Sequence, residues 1–210
     1  MPSLIEDRHM TEVAPASRRG FLKTSLAALG LASVGAPALA SPGQDRVMAV
    51  AQAALAQVGG RVGHGDVVGV ADFNQPSRAP RFHLVDLAGG KVASLLVAHG
   101  RGSDPDHSGW LRRFSNDPGS AATSEGRYLT GDYYAGAHGR SMRLHGLDAT
   151  NDNAYARAIV VHAAWYVSPQ IACEHGALGR SEGCFAVSQG DLGQVLERLG
   201  PGRLIVATKL

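Results

Sequence analysis

The chain has 210 residues, 44% of them hydrophobic, and its 20 Lys and Arg against 18 Asp and Glu leave a formal net charge of +2. That length and apolar content suit one globular domain with a sizeable core, and the charge balance excludes a chain drawn as a whole onto nucleic acid or anionic lipid. Glycine, with 27 residues, stands well above its usual ~7% share and points to a turn-rich β protein rather than a helical bundle.

Residues 1–40 read as an export segment that is removed. Arg18, Arg19 and Lys23 precede a mild apolar run that closes on Ala38-Leu39-Ala40, an A-x-A-type cleavage site. The stretch SRRGFLK matches the twin-arginine export pattern. The run is too short and too rich in Gly, Ala and Ser to span a bilayer, and no other segment could span one. The expectation is a mature chain from Ser41 to Leu210, carried by the twin-arginine machinery to a bacterial periplasm and monomeric there.

Residues 41–66 are expected to form an N-terminal helix and linker. Val47, Val50, Ala51, Ala54 and Leu55 share one face of a helix over 43–57, which Gly59 and Gly60 end. The domain proper is expected to cover 67–210. VVGVADF (67–73) and RFHLVDL (81–87) read as strands, and AGG (88–90) turns the chain into KVASLLVA (91–98) as a hairpin. Residues 99–127 show little periodicity, and segments of that length are often lids or binding loops. Trp110, Leu111 and Phe114 suggest that this one docks. His99, Asp104, Asp106 and His107 lie in it without metal-ligand spacing, so they read as a solvated loop, and no metal or cofactor is expected. YLTGDYYAG (128–136) and SMRLHG (141–146) are further strands, and ARAIVVHAAWYVS (156–168) is the most strand-like run of all. Ser188 is a plausible N-cap for a helix over QGDLGQVLERL, Gly200-Pro201-Gly202 ends that helix, and RLIVATK closes the chain as a strand. The fold class is mostly β, a sandwich or barrel, with an N-terminal helix and one helix after Cys184.

Cys184 is one of two cysteines. In an oxidising compartment it could pair with Cys173. It also sits in a Gly183 turn shortly before a helix, where the Gly183 and Cys184 N–H groups could hold a developing oxyanion and a nearby imidazole could activate the thiol. Two histidines stand on neighbouring strands, His162 in VVHAAW and His145 in RLHGLD. Other readings remain open at this point: zinc held by His145, His162 and Cys184 in a metallopeptidase, or a non-catalytic wall-binding protein.

The combination VVHAAWYVS…GRSEGCFAV resembles the catalytic signature of the L,D-transpeptidase (YkuD) family, in the branch whose motif reads R-S-x-G-C. TSEGRY (123–128), FSNDPGS (114–120) and residues 145–168 carry the likeness further, so that it spans roughly 82–208. The resemblance implies a β-rich fold and cysteine acyl transfer on peptidoglycan stem peptides. In that chemistry the thiolate attacks the diaminopimelate–D-alanine bond, and the acyl group passes to an amine or, in a carboxypeptidase or amidase variant, to water. By residue matching, Cys184 is the nucleophile, His162 its base, Gly183 and Cys184 the oxyanion donors, and Ser181 opens the motif. His145 would orient the site or polarise the carbonyl. Glu182 stands where most members have His, Phe185 where the branch has Pro, and Ala186 where Arg or Asn is usual. Arg140, Arg143 and Arg180 are the candidates to replace that missing guanidinium. Arg143 and Arg180, with Tyr134, are the expected substrate contacts.

Overall fold

The computed structural model describes residues 42–210; the export reading of residues 1–40 lies outside the described residues. Helix α1 (Pro42–Val58) is followed by β1 (Val67–Asp72), β2 (Phe82–Asp86) and β3 (Lys91–Leu95). After the long segment come β4 (Gly126–Gly136), β5 (Gly139–Gly146) and β6 (Val160–Ala163), then helix α2 (Pro169–His175), β7 (Phe185–Val187), helix α3 (Leu192–Arg198) and β8 (Leu204–Thr208). The eight strands form one sheet in the order β3-β2-β1-β8-β4-β5-β6-β7. β1 pairs with β8, and β6 with β7, in parallel; the other pairs are antiparallel.

The sheet curls until its edges nearly meet. The chain leaving β3 crosses to the far edge, where Ala98 bridges Ala186 of β7 and Gly100 bridges Ser181. The β7 end of the sheet is thereby covered rather than exposed as an open edge. The alternation of each strand decides what lines the interior. Phe82, Leu84, Tyr128, Met142, Leu144, Val161, Phe185 and Ile205 point inward and are fully buried, and Leu196 and Leu199 from α3 and its end cap the same core. On the outer face, Val47, Ala51, Ala54 and Val58 of α1 cover Val68, Val70, Val85, Leu204 and Val206. A third cluster beside α2 joins Leu96, Ala98, Ala164, Val167, Leu178 and Ala186. The fold is mostly β with a few helices, an almost closed barrel-like sheet.

Three local readings change. The run 156–168 yields only the four residues of β6. The chain reaches β6 through a corner at Ala158, whose φ is +54°, and turns out again where Ala164 N–H reaches the Val187 carbonyl. Directly afterwards comes α2, a helix not expected above. Its Ser168 N-cap accepts from Ile171 N–H, Pro169 follows at the first turn, and Gly176 ends it in the left-handed region at φ +69°. The helix after Cys184 begins at Leu192, behind β7, so its N-terminus is not the turn that holds the thiol. Ser188 nonetheless caps its entry, accepting from Asp191 N–H at 3.0 Å.

The long segment is packed rather than solvated. It folds back on itself through Gly102 N–H to the Ala121 carbonyl, Arg112 N–H to the Ser103 carbonyl and Ser115 N–H to the Thr123 carbonyl. Leu111 is buried and Phe114 packs edge-on against Phe73 with centroids 5.9 Å apart. His99 and Asp104, read from sequence as solvated, are both buried. Arg81, itself inaccessible, donates to His99 Nδ1 at 2.7 Å, and His99 Nε2 faces Asp104 Oδ2 at 3.4 Å. Ser108 and Gly109 N–H groups and the Ser108 hydroxyl complete the shell of Asp104. Among the described residues no group of three His, Cys, Asp or Glu side chains could hold a metal ion, and no helix is long and apolar enough to cross a membrane.

Candidate active site

The turn 181–184 is held from within and from behind. Ser181, buried, accepts from Gly183 N–H at 3.1 Å and donates its hydroxyl to the Cys184 carbonyl at 2.7 Å. Ser181 N–H bonds the His99 carbonyl, and its own carbonyl takes Arg101 N–H. Gly183 has φ +117°, and a Cβ there would stand 2.7 Å from both the Ala122 carbonyl oxygen and Ile159 Cδ1. Only glycine fits this position. The long segment is therefore the cradle of the turn. The Gly183 amide, expected as an oxyanion donor, is engaged by Ser181, whereas the Cys184 N–H has no acceptor among the described residues.

Cys184 and Cys173 are both free thiols; Cys173 lies exposed on α2 and Cys184 is half-buried. The Cys184 thiol donates to the Ala158 carbonyl at 3.5 Å. Burial pushes it above its ordinary value, and this outweighs the Val160 N–H and the Arg157 guanidinium, which pull it down; Glu182 adds to the rise. Arg157 is fixed by four bonds, to the Ser115 and Ala122 carbonyls and to the Ser120 and Ser124 hydroxyls. A groove of about 300 Å³ lined by Pro118, Gly119, Ala121, Ala156, Arg157 and Glu182 opens beside the turn.

His162 stands on β6, with Val161 opposite Phe185 and His162 opposite Ala186 of β7. Cys184, one residue before β7, thus falls level with Val160, on the same outer face as His162. Two steps of ~3.3 Å along the strand and one of ~4.8 Å across separate the two backbones, and no hydrogen bond joins the two side chains at rest. His162 Nδ1 lies 2.9 Å from the Ala163 carbonyl. A carbonyl only accepts, so Nδ1 carries the proton and Nε2 keeps its lone pair as a base. Burial lowers the His162 pKa, the Ala163 bond opposes that, and His138 lowers it further.

His138, at the turn between β4 and β5, stacks on the His162 ring with centroids 4.2 Å apart and planes 20° from parallel. His145 is placed elsewhere. It shares the outer face with His162 but lies four residues further along β5 than Ser141, the partner of His162, and it stacks on Tyr155 at 4.8 Å. The three guanidinium candidates also separate. Arg180 donates to the Asp104 and Pro105 carbonyls. Arg140 lies over Tyr133, whose hydroxyl reaches the Leu196 carbonyl on the α3 side. Arg143 lies on the outer face over Tyr134, 4.4 Å from its ring centre. Tyr166, half-buried, is close enough to Cys184 and Glu182 to feel both, and burial raises its phenol to about 12, so it keeps its proton as a donor.

Residues 42–207 match the family model described as the L,D-transpeptidase catalytic domain. The chain belongs to that family. The match is to that family's catalytic domain, and the likeness stated from VVHAAW and RSEGC, roughly 82–208, covers the larger part of the matched stretch but not α1 or β1. Similar solved structures include an L,D-transpeptidase from Mycobacterium smegmatis, at 15% identity and TM-score 0.41 over 68% of this chain and 58% of that one. An L,D-transpeptidase from Mycobacterium tuberculosis H37Rv gives 16% identity and TM-score 0.42 over 68% and 57%. Bd1075 of Bdellovibrio bacteriovorus gives 13% and 0.41 over 67% and 47%. The chain thus spans less than two thirds of the length of these proteins. Comparison with curated proteins returned no match.

In this L,D-transpeptidase domain the side chains around Cys184, His162 and Arg143 that sequence reading did not single out are His138, Arg157, Tyr155 and Tyr166. Arg157 and Tyr155 lie in the matched stretch 145–168, yet nothing in their spacing marks them. His138 is visible only once β5 is paired with β6.

Proposed function

We propose that the protein is an exported cysteine acyltransferase acting on peptidoglycan stem peptides, with Cys184 as nucleophile and His162 as base. The observation that carries this reading is the His162 Nδ1 bond to the Ala163 carbonyl, which leaves Nε2 free on the face that also presents the thiol. The thiol leaves the Ala158 carbonyl by rotation about its Cα–Cβ bond and gives its proton to Nε2. The sulfur attacks the carbonyl carbon of the diaminopimelate–D-alanine bond, and the oxyanion is met by the Cys184 N–H and the Tyr166 hydroxyl. The C–N bond breaks, the leaving amine takes the proton from His162, and a thioester remains. An acceptor amine then loses its proton to His162 and displaces the sulfur. Ser181 and Gly183 keep the nucleophile in place rather than touching the reacting atoms. Transfer to an amine is the main reading, and hydrolysis by water uses the same residues. A zinc centre on His145, His162 and Cys184 is not supported, because the His145 ring is against Tyr155.

The test is intact mass spectrometry of the mature protein with a stem tetrapeptide. The expected result is an increment of the tripeptide acyl group on Cys184, absent from Cys184→Ala and unchanged by chelator. A wild-type protein that processes the tetrapeptide with no thiol adduct, or only with added zinc, would sink the proposal.

A further inference from the structure

We propose that Arg143, clamped between Tyr134 and Tyr155, is the receptor for a carboxylate of the peptide substrate. The inference rests on the acyl-transfer reading above and specifies what the site recognises. The guanidinium carbon lies 4.4 Å from the Tyr134 ring centre and 5.5 Å from that of Tyr155. Tyr155 is in turn stacked on His145, so the clamp is itself braced. Stacking occupies the faces of a guanidinium and leaves its N–H edge, the part that matches a carboxylate in a two-point fork. That edge has no partner: the Arg143 side chain makes neither hydrogen bond nor ion pair among the described residues, where its interactions are the two ring contacts. A half-exposed, pre-oriented cation without an anion is what a carboxylate site looks like before its ligand arrives.

Register supplies the position. Arg143 pairs with Val160, and Val160 is level with Cys184 because Val161 pairs with Phe185. Arg143, Val160 and Cys184 therefore form one row across three strands, on the face that carries His162. Two strand spacings of ~4.8 Å separate the backbones of Arg143 and Cys184, and the long side chain shortens that gap. A terminal carboxylate one residue beyond the attacked carbonyl lies within one ~3.8 Å Cα step of it. The other guanidinium groups near the turn are engaged: Arg157 and Arg180 by carbonyls and hydroxyls of the cradle, and Arg101 by Glu182.

Two carboxylates of a stem tetrapeptide belong to the residues that flank the attacked bond, that of its C-terminal residue and that on the side-chain centre of its diaminopimelate. Acylation rates of Cys184 should be measured by intact mass for wild type, Arg143→Gln and Arg143→Lys. The substrates are the tetrapeptide, its C-terminal carboxamide and its side-chain carboxamide, with iodoacetamide alkylation as a reading of the thiol alone. The expected result is a loss of about 10- to 100-fold in acylation by the tetrapeptide for Arg143→Gln, seen mainly as a higher half-saturating concentration. Arg143→Lys should recover part of it, and iodoacetamide should react with all three proteins within about twofold. One of the two amides should cost wild type the same factor and Arg143→Gln nothing more, which names the carboxylate. Equal acylation of wild type and Arg143→Gln, insensitivity to both amides, or a matching loss towards iodoacetamide would each overturn the inference. No adduct on wild type would instead overturn the acyl-transfer reading, and the inference with it.

Discussion

Cys184 and His162 are held neutral at rest, and for the same reason: burial raises the acid and lowers the base. A thiol bonded to the Ala158 carbonyl and an imidazole whose Nδ1 donates to the Ala163 carbonyl are a neutral acid and a neutral base on one face of the sheet, not a preformed ion pair. In the proposed reaction, transfer belongs to the attack itself, when the developing oxyanion spreads the charge. Iodoacetamide, which needs only the thiolate, should therefore react with Cys184 at a rate that climbs with pH through a midpoint above the ordinary thiol value near 8.5. His162→Gln should lower acylation by the stem tetrapeptide at neutral pH by about 10² to 10⁴, yet leave alkylation at pH 10 within a few-fold, since solvent removes the proton there. A reactive plateau between pH 5 and 7 would mean a resting thiolate–imidazolium pair and refute this account.

At the scale of elements, the β4–β5 hairpin contributes most to the site. Its tip brings His138 onto His162, and its outer face brings Tyr134 and Arg143 beside β6. His138 lowers the affinity of His162 for a proton, because a second cation 4.2 Å away is repelled and the stacked ring excludes water. Removing it should act in the opposite direction. In His138→Ala the pKa of His162 rises, so the acid limb of acylation moves to higher pH, and an NMR titration of the His162 ring should move with it. An unshifted titration would reduce His138 to a surface contact. Little of this geometry can be read in the chain. The hairpin strands, α1, β8 and α3 announce themselves by alternation, by the 3.6-residue stripe and by Gly turns, and Cys184 with His162 stands out through RSEGC and VVHAAW. The outward direction of Tyr134 does not, because the register of β4 shifts between Thr130 and Tyr133 and a bulge reverses the alternation beyond it. The stretch 156–168 looked like a strand because apolar content does not distinguish a strand from buried turns, and Ala158 at φ +54° carries no sequence mark. Helix α2 did carry marks, Ser168-Pro169 and Gly176; seven residues are too few for a visible stripe.

Across the whole molecule, one buried set of side chains ties the barrel to the turn that carries Cys184. Arg81 precedes β2, His99 follows the crossover from β3, and Asp104 anchors the long segment. The His99 carbonyl holds Ser181 N–H at the entrance to the cysteine turn. His99 is 1% exposed; burial and then the charges of Arg81 and Arg180 pull its pKa from 6.5 to about 3, against Asp104, which raises it. Arg81 is lowered by burial to about 9 and stays charged at neutral pH, so a protonated His99 would meet a second cation 2.7 Å away. The folded state thus binds this proton less readily than the unfolded one. Its contribution to stability is complete above pH 6.5 and drains away as the pH falls from there towards 3, at about 1.4 kcal/mol per pH unit. His99 alone should then remove about 3 kcal/mol by pH 4, a large part of an ordinary domain's stability. His162 and His83, lowered mainly by burial, act with the same sign. Urea unfolding of wild type and His99→Gln at pH 7.5 and 4.5 separates the terms. The variant should be less stable at pH 7.5, having lost the imidazole between Arg81 and Asp104, but should lose stability with acid more slowly, by close to one proton in the slope. Parallel pH profiles would show that His99 does not titrate on unfolding. If the slopes differ as expected, Cys184 alkylation in wild type should exceed, over the same acid range, the rate extrapolated from the folded protein at higher pH, because the cradle that opens is the one bonded to Ser181 and its opening removes the burial that raises the thiol.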